Sequence, residues 1–317
     1  MRDPVCVLVR NLYGHPLAGN YWQNYCEEQV AKAGFERVHD AWPSFYKHKL
    51  KQCYLIIYVD DFRMAGRKDD RAYCWAELRK HVKLTSPELW GRYLGVQSVV
   101  ADTTYTDPAT GTTRPARTLR CDMTEFARSC VDRYTELTGV SKFTPVQTPF
   151  LDETKIAIED YNFDDKNKGQ LADHANSIIM KLLWLGRMSR WDLLRQICLL
   201  AGQVSKWSVA CDRMLHRLIA YLHHTVDHAL SVTVGNPSSD WELHLYTDAD
   251  LAKCPFTKRS TSGVYLEIKA SHTLAPVVGN SIKQTAMSES TPEAELVAAS
   301  KGIRVAGIPI LLSLIHI

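Results

Sequence analysis

No C-x-x-C pair occurs in this chain, although it contains nine cysteines. An odd set scattered from Cys6 to Cys254 argues against a disulfide framework or a zinc site, and for reduced intracellular thiols. Internal repeats and low-complexity tracts are also missing, which excludes a solenoid or a disordered, biased segment. Met1 is followed by Arg2, Asp3 and Pro4 and not by an apolar core, so no secretory signal is expected. The apolar tail Val305 to Ile317 is too short to span a bilayer and contains Pro309, so we expect no membrane partner. Nor does one sign of charge dominate. A formal net charge of +3 neither demands nor excludes nucleic acid, because a basic stripe can be local.

What is present is ordinary in bulk. The chain has 317 residues, 45% apolar and 23% charged, which suits two or more soluble domains with their own cores. Helical spacing runs from Trp22 to Phe35 with Gly34 as a stop, and an amphipathic helix is expected over Ala72 to Leu84. Tyr93 to Val100 reads as a strand, returned near Arg117 to Cys121 after the turn signal Asp107-Pro-Ala-Thr-Gly111. A helix is expected from Thr124 to Leu137, ending at Gly139. Asp152 to Gly169 is a charge-dense linker, and helices follow from Ala172 to Leu222. Strands are expected at Leu243 to Thr247 and Gly263 to Ile268, then a helix from Thr291.

The most informative stretch is Tyr54-Leu-Ile-Ile-Tyr-Val-Asp-Asp-Phe-Arg-Met-Ala-Gly66. A buried strand ends in two adjacent carboxylates, and a second apolar run follows, so Asp60 and Asp61 are expected at a hairpin tip. Adjacent carboxylates repel, and the pairing makes sense where a divalent cation is held. The competing reading is an ordinary turn, where Asp is favoured for its backbone tolerance.

A second acid site has the same form. Leu243-His-Leu-Tyr-Thr-Asp-Ala-Asp250 delivers Asp248 at the end of an alternating strand. Farther on, Ser288-Glu-Ser-Thr-Pro-Glu-Ala-Glu295 opens a helix, with Thr291 as N-cap, Pro292 in the first turn and Glu295 soon after. A strand-end Asp facing a helical Glu can hold two Mg²⁺ ions for phosphodiester hydrolysis. Glu293 is the weaker candidate, since it points to another helix face. Taken singly, each acid is read first as a surface charge or a cap.

Taken in order, these strings resemble copia-type retrotransposon Pol polyproteins. Tyr58-Val-Asp-Asp61 is similar to the palm signature of reverse transcriptases. Tyr246-Thr-Asp-Ala-Asp250, Lys258-Arg-Ser-Thr-Ser-Gly263, Lys283-Gln284 and Thr291-Pro-Glu-Ala-Glu-Leu-Val-Ala298 resemble that family's ribonuclease H domain. Val9-Arg-Asn-Leu-Tyr-Gly14 with Tyr21-Trp22, Tyr93-Leu-Gly-Val96 and Val146-Gln-Thr-Pro149 resemble its polymerase segments. The likeness covers about residues 5 to 300.

The resemblance implies an α+β fold: a reverse-transcriptase palm and thumb over 1–150, a linker and connection helices over 151–235, and part of an α/β ribonuclease H-like domain over 236–317. It implies RNA-directed DNA polymerase and ribonuclease H activities by two-metal phosphoryl transfer. Asp60, Asp61, Asp248 and Glu295 would be catalytic and metal-binding, with Mg²⁺ or Mn²⁺. Leu12, Tyr13, Gly14 and Tyr58 would meet nucleotide and template. Arg114, Arg117 and Arg120 form a basic cluster that would contact the primer backbone, the alternative being a solvated surface. Implied partners are RNA template, DNA primer, RNA–DNA hybrid, deoxynucleoside triphosphates and the rest of the polyprotein. The implied location is intracellular, in a cytoplasmic virus-like particle with access to the nucleus. His223, His224 and His228 have metal-like spacing but no accompanying acid or cysteine, and are read as the end of an amphipathic helix.

The chain also departs from the family pattern. The family's Leu-Lys-Gln is replaced by His15-Pro16-Leu17. Its upstream catalytic strand and its Cys-Asp-Asn strand have no counterpart, and the run Gly307 to Ile317 does not resemble it. A chain truncated at both ends, with weak or no activity in isolation, is therefore expected. A non-catalytic nucleic-acid-binding remnant is the alternative.

Overall fold

A computed structural model describes residues 12, 14–40, 42–151, 156–162, 164 and 166–315. The chain is an α+β protein with two antiparallel sheets. It divides into two compact units, Met1–Leu94 and Gly95–Ile317, so that residues 150 and 235 both fall inside the second unit.

The first unit begins with α1 (Ala18–Lys32). Four strands follow, β1 (Phe35–Arg37), β2 (Phe45–His48), β3 (Cys53–Tyr58) and β4 (Asp61–Gly66), paired in that order. Helix α2 (Lys68–His81) and a two-residue strand, β5 (Arg92–Tyr93), complete it. Alternation along β3 buries Cys53, Leu55 and Ile57 against Cys26 and Val30 of α1 and Cys74 and Leu78 of α2. Helix α1 stops before Phe35, where the sequence had carried it, because Gly34 takes a left-handed φ of +89°. A side chain at Gly34 would also meet Nε2 of His48 at 2.7 Å. Helix α2 starts earlier than apolar spacing indicated. Its first turn is charged, with Asp69 and Asp70 favourably placed at the helix N-terminus.

In the second unit, β6 (Val96–Thr106) and β7 (Thr113–Asp122) form a long hairpin, longer than the sequence reading of either strand. Its turn is held by Asp107, whose carboxylate accepts from Ala109 N–H at 3.0 Å and Thr110 Oγ1 at 2.6 Å. Helices α3 (Thr124–Thr138), α4 (Ala175–Met188), α5 (Leu194–Ala201) and α6 (Val209–His224) share one core, with Leu182, Leu185, Leu200 and Leu218 fully buried. Gly139 ends α3 in the left-handed conformation, as its position in sequence indicates.

Four further strands are β8 (Leu230–Val234), β9 (Glu242–Ala249), β10 (Thr261–Ala270) and β11 (Thr273–Lys283). The six strands of this unit run in the order β6-β7-β8-β11-β10-β9. Strand β8 thereby joins the hairpin to the C-terminal strands in one sheet. Both β8 and β11 escape a periodicity reading. Strand β11 contains Pro276 and Gly279, and its ladder with β10 slips at Leu266/Glu267, the kind of irregularity where proline is tolerated.

Helix α7 (Thr291–Gly302) covers β9 and β10 and continues through a π-helical turn, Ile303–Gly307, into α8 (Ile308–Ile315). The apolar stretch from Val305 is thus part of a longer helix and not a separate tail. The π turn lies just before Pro309, whose ring and missing N–H disrupt regular α-helical bonding. Among the described residues, one helix, Thr291–Leu314, is long and apolar enough to cross a membrane by length and composition.

Candidate active site: two acidic positions

The register Tyr58↔Asp61 leaves Val59 and Asp60 as a two-residue turn between β3 and β4. Val59 has φ +54°. A β-branched residue there is strained by about 1–3 kcal/mol, and hairpin turns of this length ordinarily use Gly, Asn or Asp instead. Nε1–H of Trp22, from α1, donates to the Val59 carbonyl at 2.6 Å. Asp60 and Asp61 are both exposed, and neither carboxylate has a hydrogen bond or ion pair among the described residues. Tyr93 is within the field of Asp61. Burial chiefly, then the negative field of Asp61, pushes its phenol above the usual range, while Arg63 opposes the shift. The Arg63 guanidinium stacks over the Tyr93 ring at 5.2 Å.

The other residues expected to meet nucleotide and template divide by position. Tyr58 is 51% exposed beside the acids. Leu12 is exposed, and its carbonyl accepts from His15 N–H at 3.1 Å. Gly14 has φ +93° with nothing near its missing side chain, so conformation and not space requires glycine. Tyr13 lies outside the described residues, as do Val9 to Asn11. The departure His15-Pro16-Leu17 has a local use: His15 Nδ1 accepts from Leu17 N–H at 3.2 Å where α1 begins.

Asp248 and Glu295 come from elements that pack together. Ala249 of β9 meets Ala294 and Ala298 of α7, all small, which lets the helix approach the strand closely. The cap is Ser290, not Thr291: its Oγ accepts from Glu293 N–H at 3.4 Å, while Glu293 accepts from Glu289 N–H at 2.8 Å. This Ser-x-x-Glu pairing is a variant of the capping box, its return bond taken from Glu289, one residue before the cap, and it commits Glu293 to the helix end. Along β9, Leu245, Thr247 and Ala249 face α7 and its continuation. Tyr246, Asp248 and Asp250 instead line a cleft of about 410 Å³ with Trp191, Arg195 and Tyr265. Glu295, half-buried on α7, is not among the residues lining that cleft. Asp248 and Glu295 have no hydrogen bond or ion pair among the described residues. Asp250 is committed: it accepts from Thr261 N–H at 2.7 Å and pairs with Arg195 at 3.3 Å.

The three arginines of β7 do not form one patch. Alternation sends Arg117 to one face of the sheet and Arg114 and Arg120 to the other. Arg117 pairs with Asp102 at 2.9 Å across the hairpin, and Arg120 donates to the Asp227 carbonyl. Spacing of three in sequence suggested a cluster, but a strand separates what a helix would gather. His223 packs on the Phe143 ring at 4.9 Å, and His224 Nε2 lies 3.0 Å from the Phe143 carbonyl.

Sequence reasoning missed the roles of Trp22, Tyr93 and the cleft aromatics. Trp22 and Tyr93 were visible only as pieces of motif, and nothing local links them to Asp60. Among the described residues, no group of three or more His, Cys, Asp or Glu is arranged to hold a metal ion. The pair Asp60 and Asp61 still has the donor chemistry for Mg²⁺ or Mn²⁺: hard oxygens, exposed and free of competing partners. No family model, no curated protein and no solved structure matches this chain.

Proposed function

We propose that this chain is a reverse-transcriptase and ribonuclease H segment of copia-type Pol ancestry, with a palm and thumb, connection helices and a partial nuclease domain. One observation carries the reading. A strained hairpin turn presents two free carboxylates, Asp60 and Asp61, with Trp22 of a separate motif-like segment bonded to it and Tyr93 of another within the field of Asp61. Stability alone gives no reason for Val59 at a left-handed turn position, or for leaving adjacent carboxylates unpaired.

Asp60 and Asp61 would hold the ions, and Tyr58 stands beside them on the exposed side of β3. Bound Mg²⁺ would favour attack by a primer 3′-hydroxyl and offset the charge of the nucleotide triphosphate. Mg²⁺ is commonly kept by one or two carboxylates plus substrate phosphates, so the site would fill best with nucleotide present. Asp248 and Glu295 would serve the nuclease half, acting on the RNA strand of a hybrid. The setting this reading implies is an intracellular particle that holds the rest of the polyprotein.

A second reading, a nucleic-acid-binding remnant without catalysis, is favoured by the lack of any three-ligand group among the described residues. The reading of weak or no activity in the isolated chain rests on the same observation. Primer extension on an RNA template, with Mn²⁺ and with D60N as control, separates these outcomes. Extension lost in D60N supports a working polymerase. Binding of hybrid without extension supports the remnant, and neither binding nor extension overturns both.

A further inference from the structure

We propose that Trp22 is a positioning residue for the acidic turn, holding Val59 in its strained conformation so that Asp60 and Asp61 converge on a divalent cation. This deepens the reading of the turn as a metal site and rests on it. Trp22 lies four residues before Cys26 on α1, on the stripe that packs into the core of the first unit with Val30. Its ring is half-buried there, so its indole N–H is aimed by packing and not by a flexible stem. That N–H reaches across 37 positions of sequence to the carbonyl of Val59, the one residue of the turn with positive φ. Val59 is 62% exposed, so side-chain burial does not hold the conformation. Water could satisfy an exposed carbonyl equally well. The indole adds a fixed direction: it holds the peptide plane that joins Val59 to Asp60.

The consequence is specific. Without the indole N–H, the turn can relax toward an unstrained conformation and carry Asp60 away from Asp61. A glycine at position 59 accepts positive φ without strain, and should make the anchor dispensable.

The test uses the purified full chain and Mn²⁺ alone as probe, with free ion read by electron paramagnetic resonance. W22F keeps an aromatic ring in the packed position and removes the donor. It should weaken binding at the turn about three- to ten-fold, the range that one lost hydrogen bond supports. In a V59G background the same substitution should change affinity by less than about two-fold, because glycine needs no anchor there. A merely structural role would lower the melting temperature of W22F and leave the affinity of the folded protein unchanged. That result overturns the proposal. If W22F does not fold, benzothienylalanine at position 22 deletes only the N–H and decides in its place. D60N/D61N keeps the two levels apart. If it binds Mn²⁺ as well as the parent, the metal-site reading fails and the proposal with it. If it loses binding while W22F does not, the positioning role alone is wrong.

Discussion

The two acidic positions look alike in sequence, a hydrophobic strand ending in Asp, yet they are built in opposite ways. Asp60 and Asp61 are neighbours in the chain, and their geometry is set by a single turn and one tryptophan. Asp248 and Glu295 sit on β9 and α7, which pack through three alanines, but Asp248 lines a cleft that Glu295 does not. The first position therefore depends on one turn and a single tertiary hydrogen bond, and the second on the packing of a helix against a strand. A second contrast is in strain. Val59 stores it at the first site, whereas the helix that carries Glu295 begins at a Ser290 cap with ordinary extended backbone.

The comparison can be broken most severely at the base of the hairpin. Leu55 is fully buried on β3, and Leu55→Ala should remove about 2–5 kcal/mol from the first unit. Urea melts followed by probes in each unit should show that transition moving while the second stays; a loss below about 1 kcal/mol would contradict the burial argument. Next comes Ala298→Leu, which overfills the contact with β9 and should cost the second unit about 1–3 kcal/mol. Mn²⁺ binding at the Asp60 turn should be unchanged in that variant. If it falls as well, the two sites are not independent.

Ser290→Ala is milder. Loss of the cap should lower stability by about 1 kcal/mol, read by amide exchange at the start of α7. The smallest expected effect is one of pH. Burial, then the charge of Lys51, holds the His48 imidazole below its ordinary range, and its neutral Nδ1 accepts from the N–H groups of Leu50 and Lys51. A depressed folded value means that this stability is present above the unfolded histidine value of about 6.5, and is lost as pH falls through the folded one. In the second unit, the Thr124 N–H and hydroxyl hold the Asp122 carboxyl low. Its contribution is present above about pH 3.9, the unfolded Asp value, and is lost only as the solution becomes more acidic than that. Acid titration should therefore weaken the first unit at a higher pH than the second. His48→Gln should remove that difference.

Much of the fold was legible because it is written locally. The acidic hairpin, α3 with its Gly139 stop, and the Asp107 turn each depend on neighbours in sequence. Less legible was whatever depends on distant partners. Strand β11 looks unlike a strand, with Pro276 and Gly279, until β10 supplies its ladder. The arginines of β7 look like a cluster until the strand pairs and alternation divides them. The cap at Ser290 was readable as Ser-x-x-Glu and was displaced by the more obvious Thr-Pro that follows. At the candidate site, Asp60 and Asp61 are visible in the sequence itself. Trp22 as their anchor is not, because the bond is tertiary and no pattern in sequence marks it.

The most direct test of the central claim is Mn²⁺ binding by the full chain, with and without a deoxynucleoside triphosphate, compared with D60N/D61N. The account predicts binding at the turn that tightens when nucleotide phosphates complete the ion's shell, and that is lost in the double variant. Equal binding by parent and variant, with no added affinity from nucleotide, would contradict it.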